Sequence, residues 1–121
     1  MDYSKLSDFE INKRVAICIH PEIRDWNCYD VSGRACFVIN ENTPKRVQFG
    51  FSFTTNPADA WPIIEKNKIT LIYEDGCDPC ALSGVKTGQC FEVEFKHWAQ
   101  GGNALRNAMI VFLMMQESQN A

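Results

Sequence analysis

The chain lacks a long apolar run. Its longest, residues 108–115 (AMIVFLMM), is less than half the roughly 18 residues that a membrane-spanning helix needs. It also lacks a basic excess: 15 acidic residues outnumber 12 lysines and arginines, and the net charge is −3. Binding to bulk nucleic acid rests on a basic face, so that class is disfavoured, although one small basic pocket is not. Histidine is scarce, with only His20 and His97. No H-E-x-x-H, Walker-type loop or G-x-G-x-x-G occurs, which removes the zincin, P-loop and dinucleotide-binding signatures. The first residues, MDYSKLSDFE, carry neither a basic nor an apolar leader pattern, so a reducing cytosol is expected. In that setting the six cysteines read as free thiols or metal ligands, not as a disulfide framework.

What is present predicts one domain over residues 1–121. That length buries roughly two-thirds of the unfolded surface, so folding needs no metal or cross-link. Ser7 and Glu10 have the spacing of a capping box, and Leu6 and Ile11 that of a hydrophobic staple. Behind them Ile11, Val15, Cys18 and Ile19 form an apolar stripe that stops before Pro21, predicting a helix over 8–19. Residues 21–32 read as a loop and 33–40 as a strand. RVQFGFSF alternates strictly, predicting a half-buried strand with Val47, Phe49, Phe51 and Phe53 inward.

Asn56 and Pro57 open a second helix as cap and first residue, with Asp59 in the first turn. Pro62 lies where a helix loses a bond and meets a clash, at about 3 kcal/mol, so a kink with a restart at Pro62 is expected. Trp61 and Ile64 share a face there, and Trp61 reads first as core. Residues 69–74 read as a strand, 75–89 as a turn-rich loop, and 90–98 as a strand with Phe91, Val93 and Phe95 on one face. Gly101, Gly102 and Asn103 precede a last helix, apolar nearly all round and expected to be the most buried. The order α-β-β-α-β-β-α predicts an α+β fold: a mostly antiparallel sheet with helices packed on one face.

Three stretches, MDYSKLSDFEINKRVA, NPADAWPIIEKNKI and NALRNAMIVFLMMQES, together resemble the NinX family of small proteins of P22-like temperate bacteriophages. The resemblance implies a phage or prophage origin and action in the cytoplasm of a bacterial host. It brings no catalytic residues with it. Asn103-Ala104 stands where that family's last helix often begins Asn-Pro, and C-D-P-C has no counterpart in its pattern.

Two sites compete. Cys77, Cys80, Cys90 and His97 have the spacing C-x2-C-x9-C-x6-H. A C-x2-C knuckle aims two thiolates at one point, as structural zinc requires, but a matching second knuckle is missing. The preferred expectation is therefore no cofactor and no metal. The other site is an anion cradle at the start of the last helix. There Gly102 permits close approach, Asn103 caps, Arg106 clamps phosphate, and Trp98 or Trp61 stacks on a base. The competing reading pairs Arg106 with an acidic neighbour. On the anion reading, Arg106→Ala abolishes capture and leaves stability nearly unchanged. The function expected is a non-enzymatic accessory protein that sequesters a host factor, either a host protein or a small anionic nucleotide in counter-defence. The alternative is a zinc-stabilised or nucleic-acid-associated module. The apolar last helix also predicts a homodimer or higher homo-oligomer.

Overall fold

The computed structural model describes residues 1–88 and 93–120. Three α-helices, α1 (Asp8–Ile19), α2 (Pro57–Lys66) and α3 (Ala104–Gln119), lie between antiparallel sheets. One sheet has the order β1 (Asn27–Val31), β2 (Arg34–Ile39), β3 (Val47–Phe51). The other has the order β4 (Thr70–Ile72), β5 (Cys80–Ser83), β8 (His97–Gln100), and β6 (Lys86–Thr87) pairs with β7 (Val93–Glu94) as a separate ribbon. The fold is α+β, and its coarse order follows the expected α-β-β-α-β-β-α. Helix α1 packs on β2, α3 packs on β5 and β8, and the helices pack on each other, so each three-stranded sheet has helices on one face.

The helix starts form as the sequence dictates. Ser7 Oγ accepts from Glu10 N (3.2 Å), Asn56 Oδ1 from Ala58 N (3.0 Å), and Asn103 Oδ1 from Arg106 N (3.1 Å). Helix α3 is buried at seven consecutive positions, Asn107 to Leu113, because helices cover one side and the second sheet the other. Of the apolar run from which self-association was expected, Ala108 to Leu113 are covered within the chain, and Met114 and Met115 are half-buried.

Several expectations are corrected. Residues 27–31, read as loop, form β1. Ser32 and Gly33, at φ 55° and 87°, make the two-residue left-handed turn that joins tightly twisted strands. Within the segment read as loop over 75–89, β5 forms the middle of the second sheet. The inward row of β3 runs from rim to core: Val47 and Phe49 remain exposed, Phe51 is half-buried, and Phe53, past the strand end, is 4% exposed. Phe49 compensates by stacking on Trp26, with ring centroids 5.9 Å apart. Val93 and Phe95 are likewise exposed, and Cys90 and Phe91 lie outside the described residues.

Helix α2 runs unbroken through Pro62. The carbonyl deprived of its donor is that of Ala58, on an exposed residue where water can satisfy it. Ala60, Ile63 and Ile64 take the buried face. Trp61, one position and about 100° away from Ala60, is therefore 53% exposed and is not core.

Candidate functional site

The start of α3 is occupied by the protein itself. Asn103 caps its helix through Oδ1 and donates through Nδ2 to Thr54 O at 2.8 Å. Arg106 turns back to the N-terminus: Nη1 meets Asp8 Oδ1 at 2.6 Å, and Nη2 donates to Leu6 O (2.6 Å) and Ser4 O (3.1 Å). The acidic-neighbour reading of Arg106 is the one the structure shows. Gly102 has open space about its α-carbon. Trp98 is exposed on β8, Trp61 on α2, and neither lines a described cavity.

Among the described residues of the cysteine and histidine spacing, Cys80 and His97 do not come together. Register pairs Ser83 with His97 and Cys80 with Gln100. Positions 80 and 83 of one strand face opposite sides of the sheet, and three residues separate them by roughly 10 Å. Ser83 hydrogen-bonds His97 on the α3 side, so Cys80 lies on the other face. Partial burial also raises the Cys80 thiol above its ordinary pKa, against the thiolate a metal needs. Cys77 is exposed, and Cys90 lies outside the described residues.

A different place gathers polar groups, and no local motif marked it. Helix α2 ends in a Schellman motif: Ile69 N donates to Ile64 O (3.0 Å) and Lys68 N to Glu65 O (3.3 Å). The residue in the left-handed position is Lys68, at φ 52°. Glycine is the usual occupant, since an L side chain there costs about 1–2 kcal/mol. Lys68 lines a cavity of about 530 Å³ between the ends of α2 and α3 and one end of the second sheet. Asn67 and Lys68 line it from α2, Thr70 from β4, and Ser83, Gly84 and Val85 from the end of β5. Lys96 and His97 come from the start of β8, and Met115, Ser118 and Gln119 from the last turns of α3.

His97 is held between two hydroxyls: Nδ1 lies 3.0 Å from Ser83 Oγ, which is almost wholly buried, and Nε2 lies 2.9 Å from Ser118 Oγ. A nucleophilic serine needs a base at this distance, but also a carboxylate behind the base to stabilise the imidazolium. A serine stands in that place, so the pair is better suited to hold and orient a ligand than to generate an alkoxide. Lys96 is placed by Gly84. Its amide donates to Ser83 O at 2.8 Å, and its stem crosses the glycine so closely that a Cβ at 84 would meet Lys96 Cγ at 2.9 Å. Gly84 is also at φ 65°. Gly84→Ala is expected to destabilise by about 2 kcal/mol, from left-handed strain together with the clash, and to displace Lys96. A chemical-denaturation midpoint unchanged from the parent would remove this account of Gly84.

Among the described residues no aspartate or glutamate lines the cavity, in a chain of net charge −3. Two lysines, one histidine and several hydroxyl and amide groups converge there, with Val85 and Met115 as apolar wall. Such a lining suits a small ligand with an anionic group.

A sequence model of the family described as "Bacteriophage P22, NinX" matches residues 2–116. No curated protein and no solved structure matches the chain. No helix of the described residues is long and apolar enough to cross a membrane.

Proposed function

The chain belongs to the bacteriophage P22 NinX family, and from that premise we propose that this phage accessory protein captures a small anionic ligand of its host without chemically changing it. The observation that carries the reading is the cavity framed by Lys68, Lys96 and His97 with no carboxylate among its described lining residues. A phage gains from such a protein where the ligand is a host signal, so the proposed setting is counter-defence in the host cytoplasm. The non-enzymatic part of the reading is supported by the missing carboxylate behind His97. The small-ligand reading is preferred over a host-protein partner because the convergent groups sit in a concavity rather than on a flat face.

Lys68 supplies the test, because its two effects have opposite signs. A lysine in the left-handed position costs stability that glycine does not. Lys68→Gly is therefore expected to raise stability by about 1 kcal/mol and the melting temperature by about 4 °C. It also removes one of two lysine charges from the cavity, so affinity for an anion falls roughly tenfold. Thermal melts and calorimetry against organic phosphates and carboxylates measure both. If the intact chain binds none of them, the small-ligand reading falls and a host protein becomes the partner to seek.

A further inference from the structure

Resting on that reading, we propose that the ligand is an organic monoanion with an apolar body, a carboxylate or a phosphodiester, and not a nucleoside mono- or triphosphate. The charge count points there. Helices α2 and α3 both end at the cavity, Lys68 following the first and Ser118 in the last turn of the second. Each C-terminus carries about half a unit of negative charge, so the pair offsets about one of the two positive charges of Lys68 and Lys96. About one unit of positive charge remains.

Attraction to that surplus grows in proportion to the ligand's charge, whereas the cost of stripping water from the ligand grows as its square. A singly charged group is neutralised on entry. A phosphomonoester dianion or a triphosphate carries charge into the cavity that the described lining residues do not match. The remaining wall agrees with this. Val85, Met115 and the lysine stems offer apolar contact, and no phenylalanine, tyrosine or tryptophan ring stands among the described lining residues to stack on a nucleobase.

Calorimetry with the full chain at one fixed pH and ionic strength tests the inference with four probes: hexanoate, dibutyl phosphate, adenosine monophosphate and adenosine triphosphate. At least one of the first two is expected to bind roughly tenfold or more tighter than either nucleotide. Which of the two leads distinguishes a carboxylate from a phosphodiester. Lys96→Met should weaken the leading probe about tenfold, which places it in this cavity. A nucleotide binding tighter than both monoanions overturns the charge inference and leaves anion capture standing. A leading probe indifferent to Lys96→Met overturns the site. No binding by any of the four overturns the capture reading itself.

Discussion

Asn12→Ala is expected to cost about 4 kcal/mol of stability, the largest effect of any single change considered. Asn12 is fully buried on α1 and uses both ends of its amide. Nδ2 donates to Gly33 O at 2.8 Å and, at 3.3 Å, to Thr54 Oγ1, while Oδ1 accepts from Thr54 N at 3.1 Å. One side chain thus fastens α1 to the turn between β1 and β2 and to the segment leading into α2. Truncation leaves the Thr54 N–H and the Gly33 carbonyl without partners inside the protein. Each orphaned group costs about 1–3 kcal/mol, and the vacated volume adds to this. The melting temperature should fall by about 15 °C, and the denaturant midpoint should drop with little change in slope. Asn12→Leu restores volume but not the bonds, so it should recover less than half the loss. A leucine variant as stable as the parent would show that packing, not the amide, holds this junction.

The residues that make Asn12 decisive were invisible as a unit. A buried asparagine on an otherwise apolar helix stripe is a local oddity, but its partners lie 21 and 42 residues away. What was legible is what short-range physics determines. Ser7, Asn56 and Asn103 announce their helices because a cap and its recipient amide are within three residues. The apolar run of α3 announces burial because it has no polar face to turn outward. Strand β1 was missed although Ser32-Gly33 stands between two β-rich stretches, a turn signal that the aromatic and polar mixture of residues 21–32 concealed. Alternation in β3 located the strand but not its burial, because a two-residue period reports which side faces the helix and not how far the helix reaches.

The cavity is the extreme case. Its described lining comes from four separate segments, at residues 67–70, 83–85, 96–97 and 115–119, none of which is a motif alone. One signal was available: Lys68 follows Asn67 just past the end of a helix, where glycine would be the cheaper choice. The anion cradle proposed from sequence chose the opposite end of α3 because a helix N-terminus with nearby glycines and an arginine has a recognisable local pattern. Tertiary contacts had already claimed the arginine.

Arg106→Ala separates the two sites. Three acceptors surround the guanidinium, which is 22% exposed: the Asp8 carboxylate and the Ser4 and Leu6 carbonyls. These contacts tie the segment ahead of α1 to the first turn of α3, across about 100 residues of sequence. Hydrogen bonds to a charged group contribute about 1.5–3 kcal/mol each when buried. Here Asp8 is 42% exposed and regains water on truncation, which lowers the sum. A loss of about 3 kcal/mol is expected, with the melting temperature down by about 10 °C. Arg106→Lys should recover less than half of it, because an ammonium lacks the rigid fork that reaches a carboxylate and two carbonyls at once. High salt should shrink the difference only in part, since it screens the ion pair with Asp8 but not the bonds to the two carbonyls. Anion affinity at the cavity between α2 and α3 should stay within about twofold of the parent when measured well below the melting point, because Arg106 does not line it. The opposite pattern, unchanged melting with capture abolished, would return the ligand to the start of α3 and remove it from Lys68 and Lys96.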